Sequence, residues 1–546
     1  MTILTVDKKE FEKKVGKISP EMEKRITDMG TPIEEVSDAE LSVEIFPNRP
    51  DLLSAGNFAR AVNQFGEKAK VANFKINEPE EDYEVRIDKS VKVVRPFTAC
   101  AIIKGLKFDD EKIKEVVDIQ EKLHNSIGRK RRKIAIGIYP LDKIKLPIRF
   151  LAKRPEEIKF LPLEAHKEMT GRQILRGHPA GREYAHLLED ADVFPIFVDA
   201  DDEVLSMPPI INSEKTGRID EGTKDIFIEC SGHNLAYLKK CLNIIVSVFT
   251  EMGGKIYSMK VKDSAGDYVT PDMTPEKMKF KIEDIEKTLG ISLSEKDVRG
   301  YLARMGVGYE NDGGPVALIP AYRMDVLHWI DLAEEVAIAY GYDNFVPEIP
   351  SISTIASEDS RERTKRTIGQ VLAGLGLLET SSFHLTTKKN IKKMHFDYKE
   401  FIEVEDSKTE RDVLRMDLLT NLLQISAENS DASYPQKIFE MGRVFADDEE
   451  SETGVKEIER LAISMADEGV NFTELKQVLD YLFKMLDVKY EIENVENSNY
   501  IIGRCGKIIV DGNEIGFIGE IAPRVLKNWK IKMPMVALEI DLEGLF

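Results

Sequence analysis

Cysteine is scarce in this chain, and the few cysteines are not spaced to bind a metal. The four, Cys100, Cys230, Cys241 and Cys505, form no C-x-x-C pair and have no histidine at zinc-site spacing. We interpret them as reduced, buried thiols of a cytosolic protein. Long apolar runs are also lacking: "CLNIIVSVF" is too short to span a bilayer, and the charged N-terminus has no signal-peptide core. We therefore expect a soluble, cytoplasmic protein with no membrane partner.

Several familiar catalytic motifs are also absent from the sequence. There is no G-x-x-x-x-G-K-[ST] phosphate loop, no G-x-S-x-G nucleophile elbow and no H-E-x-x-H zinc helix. No G-x-G-x-x-G motif opens a helix after a strand. The function therefore has to be argued from other patterns.

Composition indicates a large folded protein rather than a nucleic-acid-binding surface. The chain has 546 residues, 42% hydrophobic and 8% aromatic, enough for three or four domains. Its formal net charge of -20 argues against a surface that binds nucleic acid throughout. Any contact with RNA must be local or made by a partner.

Stretches rich in turn-forming residues and proline divide the sequence into four regions that differ in residue pattern. We predict an N-terminal domain over 1–85, a mixed α+β domain over 90–265, a small domain with an acidic helix over 270–348, and a large α+β domain over 356–546, the last two joined by the linker "VPEIPSIS". Periodicity predicts helices at "DKKEFEKKVG", "SAGNFARAVNQFG" and "IKEVVDIQEKLHNSIG", and strands at "TACAIIKGL", "KIAIGIY" and "DIFIEC".

Four carboxylates crowd the start of one predicted helix near residue 330. Asp331, Glu334 and Glu335 are spaced at i, i+3 and i+4, and Asp325 precedes them by six residues. By spacing alone they form a solvated acidic face near a helix start, where the helix dipole favours carboxylates. The alternative is a Mg²⁺ site, because a hard cation takes carboxylate oxygens and would relieve their mutual repulsion.

Eight motifs in order along the chain resemble the beta-subunit family of phenylalanine–tRNA ligase, of the archaeal and eukaryotic type. They are "PNRPDLLSAGNFAR", "IQEKLHNSIGRKRRKIAIG", "MPPIINSEKTGRID", "FIECSG", "AYRMDVLHWIDLAEEVAIAYGY", "LRMDLLTNLL", "IFEMGRVF" and "GFIGEIAPRVL". The resemblance spans essentially the whole chain. It implies a multidomain α+β fold: a small N-terminal α/β domain, a mixed α+β editing domain, a small tRNA-synthetase domain with the acidic helix, and a class II synthetase-like antiparallel-sheet domain.

The resemblance also implies partners. In this family the beta subunit joins a catalytic alpha subunit as an (αβ)2 heterotetramer that acts on tRNA(Phe), with ATP and phenylalanine at the alpha-subunit site. The class II-like domain here lacks a glycine-rich third motif. We therefore interpret Arg415 and Arg443 as structural or interface residues. The resemblance also implies that Mg²⁺ binds at the subunit interface, which shifts our preference to the metal site. The implied ligands are Asp325, Asp331, Glu334 and Glu335.

The family resemblance implies a second activity, hydrolysis of mischarged tyrosyl-tRNA(Phe). A hydrophobic pocket rejects tyrosine against phenylalanine only about a hundredfold, so a second sieve is useful. The family's motif positions map onto Gln120 and Ser206 for substrate binding, and onto Asn212, Glu229 and Ser231 for catalysis. Glu229 would accept the tyrosine hydroxyl, while Asn212 and Ser231 would orient the ester and the attacking water. From the residues alone, Glu229 is a strand residue that faces solvent.

One departure from the family pattern keeps an alternative open. After "KIAIG" the family usually shows His and Asp, whereas this chain has Tyr139 and Pro140. The alternative function is therefore an editing-silent scaffold that supports the alpha subunit.

Two further features keep two interpretations each. His124 is either a structural histidine or a ligand. The basic run "GRKRRK" at 128–133 is either a solvated face or a guide for RNA phosphates.

Overall fold

A computed structural model describes residues 2–66, 70–394, 401–405 and 407–545 of the chain. The chain separates into two compact units, residues 1–349 and 350–546. The division falls inside the stretch "VPEIPSIS". Helices and sheets alternate through both units, which confirms the predicted multidomain α+β fold. The finer division into four domains stays a prediction.

The beginning of the first unit combines a three-stranded antiparallel sheet with three helices. The strands are Thr2–Asp7, Glu40–Ile45 and Ile33–Val36, with Glu40–Ile45 in the centre. The helices are Lys8–Val15, Pro20–Asp28 and Ala55–Phe65. Each helix is capped at its start by a side-chain oxygen that accepts a backbone N–H of the first turn. The capping residues are Asp7, Ser19 and Ser54 respectively. The two helices predicted here are confirmed.

Two larger sheets follow in the same unit. The five-stranded sheet has the order Ile76–Asn77, Lys255–Tyr257, Phe97–Lys104, Ile226–Gly232 and Ile134–Pro140. The seven-stranded sheet has the order Ile211–Asn212, Val204–Met207, Phe194–Val198, Ile148–Lys153, Glu84–Ile87, Met259–Lys262 and Tyr268–Thr270. A two-stranded ladder joins Lys159–Phe160 to Met169–Thr170. The helices of this region are Asp110–Asn125, Gly171–Gly177, Pro179–Tyr184, Glu214–Gly217 and Leu235–Glu251. The predicted strands and helix are confirmed.

The five-stranded sheet is covered on both faces. On one face, Ala101 and Ile103 share an apolar core with Leu242 and Ile245 of the helix Leu235–Glu251. On the other face, Cys100, Ile102, Tyr139 and Phe227 share a core with residues of the seven-stranded sheet such as Phe150 and Phe197. Side chains on either face of the strand Ile226–Gly232 therefore point into the protein.

The first unit ends with a small three-stranded sheet and three helices. The sheet has the order Glu276–Lys279, Pro315–Ile319 and Gly308–Asn311, all antiparallel. The helices are Ile282–Leu289, Glu295–Arg304 and Trp329–Tyr340. In the last helix Leu332, Val336 and Ala339 are buried, so its predicted apolar side is confirmed.

The second unit is built on a seven-stranded sheet with helices. Its order is Leu378–Glu379, Gln436–Asp447, Val455–Ala466, Met535–Asp541, Asn513–Ile521, Tyr500–Val510 and Glu491–Asn494. All neighbours are antiparallel except the first pair. Strands Leu385–Thr386 and Val413–Leu414 form a small ladder. The helices are Ser360–Gly374, Lys388–Ile391, Leu419–Glu428, Phe472–Met485 and Pro523–Trp529.

Short 3-10 helices complete the secondary structure. They are Pro50–Leu52, Lys89–Val93, Leu141–Lys143, Ala185–Leu187, Tyr342–Asn344 and Glu543–Leu545. Within the described ranges, none of the helices combines the length and apolarity needed to cross a bilayer.

Candidate functional site

A cavity of about 650 Å³ lies at the edge of the five-stranded sheet in the first unit. The helix Asp110–Asn125 and the edge strand Ile134–Pro140 contribute to its wall. Three of the residues predicted for the editing site, Gln120, Asn212 and Glu229, line this cavity. The structure therefore brings together side chains that are up to 109 residues apart in sequence.

Glu229 is one of the most deeply buried charged residues in the chain, with 1% of its surface exposed. It lies in the strand Ile226–Gly232, opposite Gly137 on one neighbouring strand and Cys100 on the other. Phe227, on the same face of the strand, is in the core that faces the seven-stranded sheet. The interpretation of Glu229 as a solvent-facing residue is therefore wrong.

Burial controls the ionisation of Glu229. It raises the pKa of Glu229 to about 8, although the charge of Arg95 and the hydroxyls of Ser231 and Tyr139 act to lower it. At neutral pH the carboxyl group is therefore mostly protonated. A protonated carboxyl can both donate and accept a hydrogen bond, whereas a carboxylate only accepts.

Arg95 holds Ser231 in place beside Glu229. Its Nε donates to Ser231 Oγ at 3.1 Å, and its Nη2 donates to the Ser231 carbonyl at 2.6 Å. Arg95 is 3% exposed, and burial lowers its pKa to about 10. Sequence reasoning missed Arg95. The available signal was a single arginine two residues before the apolar strand Phe97–Lys104.

One carboxyl oxygen of Glu229 has no hydrogen-bond partner among the residues that the structure describes. The Tyr139 hydroxyl lies 3.3 Å from Oε1. Oε2 is buried and makes no hydrogen bond to any residue within the described ranges. Leaving a buried polar atom unpaired costs roughly 1–3 kcal/mol. Since Glu229 also lines the cavity, this oxygen is suited to bind a polar group of a ligand.

Tyr139 and Ser206 lie behind Glu229 rather than on the cavity wall. Tyr139 is fully buried, and its hydroxyl donates to Ser206 Oγ at 2.7 Å. Its ring stacks on Phe227, with centroids 5.8 Å apart and an angle of 27° between planes. Ser206, predicted to bind substrate, thus contacts Tyr139.

Gln120 and Asn212 are held at the cavity by the backbone around them. Gln120 Nε2 donates to the carbonyl of Ile136 on the edge strand at 2.7 Å, which leaves its side-chain oxygen available. Asn212 pairs with Ser206 in the seven-stranded sheet. A Cβ at Gly217 would lie 2.7 Å from Asn212 Cβ, so that glycine makes room for the asparagine.

His124 is a structural histidine rather than a free ligand. Its Nε2 accepts the backbone N–H of Ile136 at 2.9 Å, and its Nδ1 lies 3.3 Å from Glu121 Oε1. The acceptor role of Nε2 places the ring proton on Nδ1, next to the carboxylate. Burial lowers the pKa of His124, so the ring is neutral at pH 7.

The basic run 128–133 forms a loop with an unusual backbone at the cavity. Arg129, Lys130 and Arg131 have φ values of 46°, 54° and 65°, in the left-handed region. Arg131 lines the cavity, where its Nη2 pairs with Glu121 at 2.6 Å and its guanidinium lies 4.3 Å from the centroid of the Tyr184 ring. The loop is therefore attached to the cavity wall through Arg131.

The four acids predicted to bind Mg²⁺ do not form a shared ligand set. Arg323, with a side chain 1% exposed, binds Asp325 through Nε and Nη2 at 2.7 Å each. Its Nη1 and Nη2 also bind the two oxygens of Glu335 at 3.0 and 2.8 Å. Asp331 Oδ2 accepts the N–H groups of Leu327 and His328 at 2.7 Å each.

These contacts decide the fit of a cation. Burial acts to raise the pKa of Asp325, but the hydrogen bond and charge of Arg323 lower it overall. Burial and the charges of Glu335, Asp331 and Asp325 raise the pKa of the exposed Glu334. Within the ranges that the structure describes, no three acidic, histidine or cysteine side chains are arranged to hold a metal. The residues do not fit Mg²⁺, because Arg323 already neutralises two of the four carboxylates.

In the second unit, Arg415 is part of a buried network. Its Nη1 donates to Glu440 Oε1 at 2.6 Å and to Ser382 Oγ at 2.9 Å, and its Nε donates to the Arg443 carbonyl at 2.7 Å. Arg415 and Glu440 are each about 2% exposed or less. The exposed Arg443 side chain pairs with Glu457 and Glu459. Both arginines have structural partners in the described chain.

Family models match most of the chain in three segments. Residues 89–243 match the B3/4 domain, and residues 278–342 match the tRNA synthetase B5 domain. Residues 346–542 match the phenylalanyl tRNA synthetase beta chain CLM domain. The cavity residues from Gln120 to Glu229 lie in the first segment, the acidic helix in the second and Arg415 in the third.

Curated relatives and a solved structure agree with these matches. The phenylalanine–tRNA ligase beta subunit of Pyrococcus abyssi is 39% identical over 503 residues, covering 91% of this chain and 90% of the relative. That of Archaeoglobus fulgidus is 34% identical over 553 residues, covering 100% and 99%. An N-terminal fragment of the phenylalanyl-tRNA synthetase beta subunit from Pyrococcus horikoshii matches 62% of this chain and 99% of the fragment, with 35% identity and a TM-score of 0.59.

Proposed function

Because the chain belongs to the beta-subunit family of phenylalanine–tRNA ligase, we propose that it supports ATP-dependent attachment of phenylalanine to tRNA(Phe) and hydrolyses mischarged tyrosyl-tRNA(Phe). Family membership makes it a subunit of an aminoacyl-tRNA ligase of protein biosynthesis, with an alpha subunit and tRNA as partners. The (αβ)2 heterotetramer, and the binding of ATP and phenylalanine by the alpha subunit, are part of the proposal.

The observation that carries the editing proposal is that Oε2 of Glu229 has no hydrogen-bond partner in the described part of the chain. Tyrosine differs from phenylalanine by one hydroxyl, and a buried carboxyl oxygen at a cavity can hydrogen-bond that hydroxyl. With phenylalanine bound, the oxygen stays unpaired, and such a site discriminates by up to roughly 10⁴. The correctly charged tRNA is therefore spared.

The other predicted residues support this reaction from two positions. Gln120 and Asn212 line the cavity, which supports roles for their amide groups in binding the ester end of the substrate and orienting a water. Ser231 and Ser206 lie deeper. They act through their neighbours, Ser231 as the partner of Arg95 and Ser206 as the partner of Tyr139.

The test is deacylation by the complex of this chain with its alpha subunit. Glu229→Ala should lower hydrolysis of tyrosyl-tRNA(Phe) and relax the sparing of phenylalanyl-tRNA(Phe), while phenylalanylation stays near the wild-type rate. Glu84→Ala is the matched control, because Glu84 is a buried glutamate of the same unit that pairs with Arg86. Glu229→Gln retains an acceptor oxygen and checks for misfolding.

An editing-silent scaffold is the second candidate function. It is favoured by Tyr139, which stands where the family usually has histidine and whose hydroxyl already contacts Glu229. If the wild-type complex charges tRNA(Phe) but hydrolyses no tyrosyl-tRNA(Phe), the scaffold is the function. If the wild type hydrolyses it and Glu229→Ala is undiminished, Glu229 has a structural role only.

Adenylation is assigned by this proposal to the alpha subunit. Arg415 is the arginine of the class II-like unit that could have contacted a nucleotide, but its guanidinium is bound by Glu440, Ser382 and a backbone carbonyl. Freeing it would leave the buried Glu440 without its charged partner, which costs several kcal/mol.

A further inference from the structure

The Tyr139 hydroxyl has one proton to donate and two hydrogen-bond acceptors within reach. Its hydroxyl lies 2.7 Å from Ser206 Oγ and 3.3 Å from Glu229 Oε1. The three groups belong to three different strands, and each is at most 1% exposed. The hydroxyl therefore links the seven-stranded sheet to the carboxyl group that lines the cavity.

A glycine in the same strand as Tyr139 leaves room for the contact between Tyr139 and Glu229. Gly137 lies opposite Glu229 in the strand register, two residues before Tyr139. A Cβ at this position would lie 2.1 Å from the Tyr139 oxygen and 2.6 Å from Glu229 Oε1. Any side chain at 137 would separate the two groups, so the glycine allows them to meet.

Contact with Tyr139 makes the two oxygens of Glu229 unequal. Oε1 is next to the Tyr139 hydroxyl, whereas Oε2 has no partner among the residues that the structure describes. Without the Tyr139 hydroxyl, Oε1 would lose the hydrogen bond that it accepts, and the carboxyl would be freer to rotate about its last side-chain bond.

We propose that Tyr139 is a positioning residue that holds Glu229 Oε1, so that Oε2 alone is presented to the phenolic hydroxyl of a tyrosyl ester. This inference rests on the proposed editing function. It assigns the discrimination between tyrosyl and phenylalanyl groups to a pair of residues, Glu229 and Tyr139, rather than to Glu229 alone. Ser206 competes with Glu229 for the Tyr139 proton and so sets how firmly the carboxyl is held.

Two substitutions with opposite expected effects test this role in the complex with the alpha subunit. Tyr139→Phe keeps the ring on Phe227 but removes the hydroxyl, and should lower tyrosyl-tRNA(Phe) hydrolysis roughly five- to tenfold, with a smaller preference over phenylalanyl-tRNA(Phe). Ser206→Ala leaves Glu229 as the only acceptor for the Tyr139 proton among the described residues, so the carboxyl is held more firmly and that preference should rise.

The pH dependence of tyrosyl-tRNA(Phe) hydrolysis gives a second readout, which substitution of a purely structural residue would not shift. Arg95, Cys100, Tyr139 and Ser231 face Glu229 from the surrounding elements, and the Tyr139 hydrogen bond lowers the pKa of Glu229. The inflection that belongs to Glu229 is the one that Glu229→Gln abolishes. It should move to higher pH in Tyr139→Phe and to lower pH in Ser206→Ala.

Tyr268→Phe is the matched control. Tyr268 donates its hydroxyl to the Thr98 carbonyl at 2.7 Å in the same unit, and should change neither the preference nor the inflection. If Tyr139→Phe behaves like this control while wild type hydrolyses tyrosyl-tRNA(Phe), the inference is overturned and the editing function stands. If wild type does not hydrolyse tyrosyl-tRNA(Phe), both are overturned.

Discussion

Arg323 Nη2 lies 2.8 Å from Glu335 Oε1, in a pair whose side chains are 1% and 6% exposed. The same guanidinium binds both oxygens of Asp325. Arg49 lies near this cluster and is paired with Asp51 at 2.9 Å; burial and the charge of Arg323 act to lower the pKa of Arg49, but Asp51 and Glu335 raise it overall. Asp325 and Glu335 are therefore neutralised within the chain by Arg323, and Asp51 by Arg49.

Removing Glu335 should destabilise the first unit strongly. Glu335→Ala leaves Arg323 buried with one carboxylate partner fewer, and breaking a buried pair in this way costs about 3–5 kcal/mol. Glu334→Ala, one residue earlier and exposed, should have little effect. Thermal unfolding of both variants measures this difference, and equal transition temperatures would contradict it.

Mg²⁺ should not stabilise this chain through the acidic helix. A ligand that binds only the folded state raises the unfolding temperature as its concentration rises. We expect no such rise with millimolar Mg²⁺, because Arg323 occupies Asp325 and Glu335. A rise that disappears in Asp331→Asn and Glu335→Gln would restore the metal-site prediction.

Ionisation of Glu229 should make the first unit less stable as pH rises. Its pKa of about 8 in the folded chain exceeds the value of about 4.3 for an exposed glutamate, so the folded state binds the proton more tightly. The stability from this proton is fully present below about pH 4 and is lost as pH rises towards 8, by at most about 1.4 kcal/mol per pH unit. Glu229→Gln carries no titrating group at this position. Its unfolding temperature should therefore rise relative to that of wild type as the pH increases from 5 to 8. A constant difference across that range would contradict the raised pKa.

The isolated chain should not form an aminoacyl adenylate. Arg415 is bound by Glu440 and Ser382 inside the second unit and is not available to a nucleotide. We expect no phenylalanine-dependent exchange of pyrophosphate into ATP by the purified chain, and full exchange when the alpha subunit is added. Exchange by the chain alone, abolished by Arg415→Met, would contradict this assignment.

Local structure was predictable because it depends on neighbours in sequence. Ser54 caps the helix Ala55–Phe65, and the spacing of Leu332 and Val336 places the apolar side of the helix Trp329–Tyr340 correctly. The residues that line the cavity, Gln120, Asn212 and Glu229, were selected by family resemblance rather than by periodicity.

Burial and pairing were decided by the tertiary structure. Alternation along "DIFIEC" shows which residues share a face with Glu229, but only the packing of a second sheet on that face makes it interior and raises the pKa of Glu229. Spacing placed Asp325 and Glu335 near each other, yet whether their counter-charge is a metal or an arginine depends on the fold of the segment that carries Arg323. Sequence by itself determined the elements and the charges that each carries. The tertiary structure determined the partner of each charge, because electrostatic interactions act between groups that are close in space, however far apart they are along the chain.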